Sequence, residues 1–84
     1  MDTATLVGLV AGFLTTVAFV PQLLKIWNTR SARDVSLPAF GTFALGLVGW
    51  LAFGILKQDF PIILWNAVTL VLAVAILAMK MRFG

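Results

Sequence analysis

The chain has 84 residues, of which 62% are hydrophobic and only 11% are charged, and its mean hydropathy is +1.10. A soluble domain of this length needs a larger polar share to cover the surface that it cannot bury, so the composition excludes a soluble enzyme, a disordered tail and a nucleic-acid-binding module. The net charge of +3 comes from scattered residues without a basic motif. Because Cys and His are absent, neither a disulfide nor thiol or imidazole chemistry is available, and we expect no metal and no cofactor.

Three long stretches carry no charged residue: 3–24, 35–56 and 60–79. About 20 apolar residues cross a bilayer as a helix, whereas three strands are too few to close a barrel. Met1-Asp2 provides no basic region ahead of the first stretch, which is also too long for a cleaved signal peptide. The sequence therefore predicts an all-α membrane protein, with residues 1–84 forming one three-helix transmembrane repeat whose helices lie near 4–27, 37–56 and 61–80.

Lys and Arg are unevenly divided between the two sides of the membrane. Lys57 is alone at the turn between the second and third helices, and the other five lie near the end of the first helix or after the third: Lys25, Arg30, Arg33, Lys80 and Arg82. The positive-inside rule then places the 28–36 loop and the C-terminus in the cytoplasm and the N-terminus outside, in a multi-pass protein of the cell inner membrane.

Three helices enclose no useful cavity, so the chain is expected to act with a partner. Two copies inserted the same way up are related by an axis along the membrane normal, as in transporters built from parallel repeats. The expected assembly is a parallel homodimer of six helices around a central path through the lipid bilayer.

Two polar or aromatic side chains lie at one depth on neighbouring helices. Trp50 lies six residues before Leu56 and Asn66 lies five after Pro61, which puts both roughly 8–9 Å below the outer end. An indole stacks on the apolar face of a sugar, and a carboxamide bonds its hydroxyls without carrying charge. Interfacial anchoring of Trp50 and interhelical bonding by Asn66 are the alternatives, and Trp27 and Trp65, nearer span ends, fit anchoring better.

Spacings of three and four define a stripe on each of these helices. The second helix has Phe43, Gly46, Trp50, Phe53 and Lys57, and the third has Asn66, Thr69, Ala73 and Ile76. If both stripes face the dimer axis, each copy contributes one indole and one amide to a common pocket. No Asp, Glu, Lys or Arg lies deep in a span, so coupling to an ion is not expected.

Pro21-Gln22 lies in the inner half of the first helix. Proline removes one backbone hydrogen bond and crowds the preceding turn, so a kink is expected. A bend below the pocket would let the inner end of this helix swing, although a static kink is equally compatible with the sequence.

Pro21-Gln22, the loop leading into Asp34-Val35-Ser36-Leu37, Trp50 and Asn66 together resemble a bacterial SemiSWEET, the single-repeat relative of the SWEET sugar transporters in the PQ-loop superfamily. SWEETs are themselves an example of the parallel-repeat arrangement. The resemblance covers essentially the whole chain. It implies a sugar pocket on a two-fold axis, with Trp50 and Asn66 as substrate-binding residues and Pro21 and Gln22 as the hinge.

The resemblance also implies two gates. Phe53, Lys57 and Asp59 match the outer gate, although relatives carry Tyr and Arg where this chain has Phe and Lys, which lack the hydroxyl and the bidentate fork. Phe43 or Phe40 matches the phenylalanine that closes the inner side.

The function implied is uncoupled, facilitative transport of mono- or disaccharides by alternating access. An enzyme is not expected, since no nucleophile–base pair is available. Two alternatives stay open: a PQ-loop carrier for another small polar solute, and a holin-like pore-forming protein.

Overall fold

The computed structural model describes residues 2–84, which form four α-helices. They are α1 (Thr3–Val17), α2 (Phe19–Thr29), α3 (Leu37–Lys57) and α4 (Phe60–Phe83). Because α1 and α2 follow each other across Ala18, they make one apolar span of 27 residues, beside spans of 21 and 24 residues. The predicted three-span, all-α architecture is confirmed, and the spans include the expected ranges 4–27, 37–56 and 61–80.

The interruption at Ala18 has its cause three residues later in the chain. Pro21 has no N–H to donate to the carbonyl of Val17, and its ring crowds that same carbonyl. Val17 is the last residue of α1, and α2 begins at Phe19. The helix assignment is therefore interrupted one turn before the proline, at a residue that keeps right-handed helical dihedrals, and the kink expected from the Pro21-Gln22 pair stays a prediction.

Polar side chains cap the start of every membrane-spanning segment. Asp2, Ser36 and Asp59 each accept a hydrogen bond from the backbone N–H three residues further on, at 2.9–3.2 Å. Pro38 and Pro61 occupy the first turns of α3 and α4, where the missing N–H has no partner to lose. The three spans therefore begin at defined residues.

The last helix lies in the middle of the unit. α4 contacts α1, α2 and α3, whereas no pair of Cα atoms within 8 Å joins α3 to α1 or α2. The spatial order is thus first span, third span, second span. The 57–60 turn lies beside the N-terminus, at what is called here the 57–60 end, and the 30–36 loop lies beside the end of α4, at the 30–36 end.

Two glycines allow α4 to approach its neighbours closely. A methyl group at Gly12 of α1 would overlap the Trp65 ring, and one at Gly54 of α3 would lie 2.7 Å from the Ile62 side chain. Small residues at such contacts let membrane helices pack by van der Waals attraction, the main attraction available to them in lipid. The seams on both sides of α4 thus depend on missing Cβ atoms in the half near the 57–60 end.

The opposite end is packed differently. Ile26, Ala32, Val35 and Ile76 form a buried cluster, against which further apolar side chains pack: Phe19, Leu23, Phe40, Met79 and Phe83. The Lys80 ammonium donates to the Ala32 carbonyl at 3.0 Å. Residues of the 30–36 loop are therefore part of the core and tie the loop to α4.

A buried hydrogen bond joins the first span to α4 near mid-membrane. The Thr16 and Thr69 hydroxyls lie 2.9 Å apart, and both residues are buried. Thr16 is two residues before the interruption at Ala18. The bond therefore fixes α1 to α4 on the 57–60 side of the interruption at Ala18.

Candidate functional site

An open cavity of about 430 Å³ runs along one face of the unit, between the first span, α3 and α4. Near the 57–60 end its walls are Gly8 and Pro61, and towards the 30–36 end they are Phe19 and Phe43. The remaining lining is apolar or neutral and polar: Gly12, Thr15, Thr16, Leu47, Ile62, Trp65, Asn66 and Thr69. The lining carries no charge, which suits a neutral polar solute.

Asn66 lies in this cavity and is half-buried. Its Nδ2 donates to the Ile62 carbonyl of its own helix at 2.8 Å. A carboxamide has two N–H donors and an oxygen acceptor, so this bond orients the group and leaves a donor and the acceptor for a ligand. The bond lies within α4 and does not bridge two helices, which argues against Asn66 as interhelical glue.

Trp50 lies outside the cavity, in a neighbouring groove of about 320 Å³ on α3. Its side chain is 56% exposed and meets Phe53 edge to face, with ring centroids 5.5 Å apart. Phe43, which does line the cavity, lies seven residues away, so it shares a face of the helix with Trp50. The single chain therefore does not bring Trp50 and Asn66 together, but α3 extends the cavity wall towards Trp50.

Trp65 does not lie at the membrane interface, as expected from the sequence, but in the cavity. Instead of anchoring at the interface, its ring lines the cavity, packs into the notch at Gly12 and meets Phe13 edge to face at 5.9 Å. Its Nε1 is buried and has no hydrogen-bond partner among residues 2–84. The sequence did offer one signal for this position: Trp65 is adjacent to Asn66, so both side chains lie at nearly the same depth in the membrane.

Three phenylalanines meet at the cavity's end towards the 30–36 loop. Phe19 stacks on Phe43 with centroids 5.5 Å apart and an interplanar angle of 18°, and Phe40 lies edge to face against both rings. Both inner-gate candidates, Phe43 and Phe40, are thus in the same cluster. The sequence analysis missed Phe19, the first residue after the interruption at Ala18.

The proposed outer-gate residues are divided between two places. Lys57 and Asp59 line a cavity of about 550 Å³ at the 57–60 end, together with Asp2, whereas Phe53 lies in the Trp50 groove. Hydrogen bonds from Thr5 lower the pKa of the Asp2 carboxyl below its ordinary value. The mouth of the unit therefore holds two aspartates and one lysine.

Pro21 and Gln22 face a cleft of about 370 Å³ between α2 and the 30–36 loop. Both side chains are exposed, and Lys25, Ser31 and Asp34 complete its polar lining. The pair expected to form the hinge thus borders open space directly below the interruption.

The stripe expected on α4 does not face outwards along its whole length. Ala73 and Ile76 have no exposed surface, and Thr69 is 8% exposed. Ile76 lies in the buried cluster with Ile26 of α2. Only the upper part of the stripe, at Asn66 and Thr69, borders the cavity. The expectation that all four residues line a dimer axis is therefore wrong for its lower half.

The chain matches the family model of the PQ loop repeat over residues 3–63. It is 52% identical over 79 residues to "Sugar transporter SemiSWEET" of Bradyrhizobium diazoefficiens, an alignment that covers 94% of this chain and 92% of the relative. Its structure is similar to a bacterial homologue of SWEET transporters (TM-score 0.94, 46% identity, covering 99% of this chain and all of that one). It is also similar to a SemiSWEET crystallised in the inward-open conformation (TM-score 0.88, 40% identity, covering 98% of this chain and 88% of that one).

These relatives are transporters, in agreement with the expectation that the chain is not an enzyme. The matched residues include the Pro21-Gln22 pair and Trp50. The chain therefore belongs to the SemiSWEET branch of the PQ-loop repeat family.

Proposed function

We propose that the protein is a facilitative sugar transporter that works by alternating access as a parallel homodimer. The observation that carries the proposal is the uncharged cavity beside Asn66, together with Trp50 on the face of α3 that carries the cavity residue Phe43. An exposed indole inside a membrane span meets either lipid or a partner. Against the partner, the indole and the carboxamide of each copy enclose a pocket that one chain lacks.

The pocket chemistry favours a sugar over a charged solute. The indole of Trp50 supplies an apolar platform, and Asn66 keeps a donor and an acceptor free of its bond to Ile62. A relative named as a sugar transporter is 52% identical over nearly the full length. No carboxylate lines the cavity, so the transported sugar moves down its gradient without ion coupling.

The charge distribution supports one orientation of the unit in the membrane. Asp2, Lys57 and Asp59 lie at the 57–60 end, which faces outwards, and the basic 30–36 loop and the C-terminal residues Lys80 and Arg82 face the cytoplasm of the cell. Phe53, Lys57 and Asp59 then close the outside, and the Phe19–Phe40–Phe43 cluster closes the inside.

The interruption at Ala18 separates two parts of the first span with different roles. Above it, the Thr16–Thr69 bond and the contact of Gly12 with Trp65 hold α1 against α4. Below it, α2 begins with Phe19, whose ring rests on Phe43. A swing of α2 about Pro21 and Gln22 would part these two rings and open the pocket inwards while α1 keeps its place.

Sugar flux into proteoliposomes tests the assignment. Trp50→Ala and Asn66→Ala are expected to abolish flux, because each removes one of the two groups that contact sugar, while crosslinking still detects the dimer. Leu45→Ala and Val71→Ala are matched controls on the same helices, at side chains 74% and 69% exposed, and should retain flux. Unchanged flux in both pocket variants would refute the site.

Competition and leakage assays separate the two alternatives. A carrier for another polar solute would be inhibited by amino acids and indifferent to sugars. A holin-like pore would release ions and dyes without selectivity, whereas the proposed transporter keeps them inside the vesicle.

A further inference from the structure

α2 and α4 leave a second groove, of about 230 Å³, that has no part in the sugar pathway. Its lining is wholly apolar: Leu23, Leu24, Trp27, Ala75 and Met79. Ala75 and the pocket residue Asn66 lie nine residues apart on α4, which is two and a half turns, so they face opposite sides of the helix. With the sugar pocket at the dimer axis, the groove faces the lipid.

Two guanidinium groups flank the aromatic rings at the cytoplasmic end of this groove. The guanidinium carbon of Arg30 lies 4.1 Å from the ring centroid of Trp27 and 5.6 Å from that of Phe83. The guanidinium carbon of Arg82 also lies 5.6 Å from the Phe83 centroid. Trp27 is itself a wall of the groove. A guanidinium stacked on a ring by its face keeps its N–H edge free, and this edge matches the oxygens of a phosphodiester.

We propose that this groove, with Arg30 and Arg82 at its mouth, binds an anionic phospholipid. An acyl chain occupies the apolar cleft between α2 and α4, and the phosphate accepts hydrogen bonds from the two guanidinium groups. The inference rests on the proposed function in one respect: the groove faces lipid only if the sugar pocket lies at the dimer axis. The binding of anionic headgroups in basic pockets between membrane helices follows from their charge.

An apolar groove next to two guanidinium groups favours a lipid over a free anion as the ligand. Leu24 and Trp27 are 53% and 49% exposed, so the cleft presents a large apolar surface that inorganic phosphate leaves uncovered. The backbone conformation of Arg30 also helps to hold its side chain beside the groove. It adopts the left-handed conformation, with φ of 55°, that ends α2 and turns the side chain back over Trp27.

The test is thermal unfolding of the purified full-length protein in a neutral detergent. Phosphatidylglycerol should raise the unfolding temperature, whereas phosphatidylcholine and inorganic phosphate should leave it nearly unchanged. Arg30→Gln should lose most of the shift, and its fold is expected to survive because Gln58 adopts the same left-handed conformation at the end of α3. Arg33→Gln, which removes an equal charge from the same loop, is the matched control and should keep the shift.

Tryptophan quenching locates the lipid independently of stability. Phosphatidylglycerol with brominated acyl chains should quench part of the fluorescence, and this part should vanish in Trp27→Phe. Equal shifts with the two phospholipids, a shift with phosphate alone, equal losses in Arg30→Gln and Arg33→Gln, or unchanged quenching in Trp27→Phe would each overturn the proposal. Lipid binding is measured without sugar, so failure here leaves the transport assignment intact, and loss of flux in the pocket variants leaves the lipid result intact.

Discussion

The two halves of this three-helix unit are held together in different ways. Near the 30–36 end, a loop, two helices and a ring cluster share a buried core around Ile26 and Ile76. Near the 57–60 end, α4 meets its neighbours through the close contacts at Gly12 and Gly54, and between these contacts lies the open cavity. The half near the 30–36 end is thus closed within one chain, whereas the half near the 57–60 end keeps an open cavity.

This difference places the part that we propose to move and the part that we propose to stay fixed in the same span. α1 belongs to the half near the 57–60 end and is bonded to α4, and α2 belongs to the half near the 30–36 end, with the interruption at Ala18 between them. The following substitutions break or sharpen this contrast, beginning with the largest expected effect.

Pro21→Ala should remove the boundary between the two halves. Alanine restores the hydrogen bond to the Val17 carbonyl and is favoured over proline inside a helix by about 3 kcal/mol. A continuous first span resists the swing of α2, so sugar flux should fall more than equilibrium sugar binding. The comparison requires both measurements on the same protein.

The matched control for this variant is Pro38→Ala, since Pro38 lies in the first turn of α3, where its missing N–H breaks no bond. If Pro21→Ala lowers sugar flux and sugar binding equally, the substitution has damaged the pocket, and the hinge hypothesis is wrong.

Ile76→Ala should destabilise the half near the 30–36 end. Ile76 has no exposed surface, and its truncation leaves a cavity in the core. Since lipid is as apolar as the core, the cavity contributes most of the loss, and about 2 kcal/mol is expected, at the low end for such truncations. Reversible unfolding in mixed micelles measures it, with Val74→Ala (54% exposed) as the control. Equal losses for the two variants would contradict the packed core.

Gly12→Ala should destabilise the half near the 57–60 end. The added methyl group overlaps the Trp65 ring, so α1 must shift from α4, at a cost of about 1–2 kcal/mol after the gain in helix propensity is subtracted. Gly41→Ala gains the same propensity and meets nothing within 4 Å, so it should be neutral or stabilising. Unfolding measurements that rank the two variants equally would show that the Gly12–Trp65 contact does not set the spacing of the helices.

Thr16→Val and Thr69→Val should have the smallest effect. Removing a hydrogen bond between membrane helices costs about 0.6 kcal/mol on average. A double-mutant cycle isolates the pair, and a coupling energy of about that size is expected because the hydroxyls lie 2.9 Å apart. Additive losses would mean that each hydroxyl is satisfied by its own helix.

The sequence determines the spans more fully than their arrangement. Charge-free stretches and Pro21 are local signals, and both the three helices and the interruption follow from them. The order of the helices in space is different, because these spans are apolar all round and lipid is as apolar as a neighbouring helix. The hydrophobicity pattern of the sequence therefore does not predict that α4 lies between the other two spans.

The misplaced tryptophan illustrates this limit. Distance from a span end suggested an interfacial role for Trp65, and only the notch at Gly12, 53 positions earlier, explains its inward position. Phe19 was missed for a similar reason, since its partner Phe43 belongs to a helix whose backbone does not approach it. Trp50 and Asn66 were singled out by equal depth, but depth alone does not reveal that they lie in separate cavities of one chain.

The central position of α4 has a consequence for biosynthesis. The first span and α3 leave the ribosome before α4 does, and apart from the rings around Phe19 they have almost nothing to hold one another. Until the last 24-residue helix inserts between them, these two spans are expected to form only a loose hairpin. A premature stop before Phe60 would therefore leave two helices that do not hold each other rather than a smaller carrier.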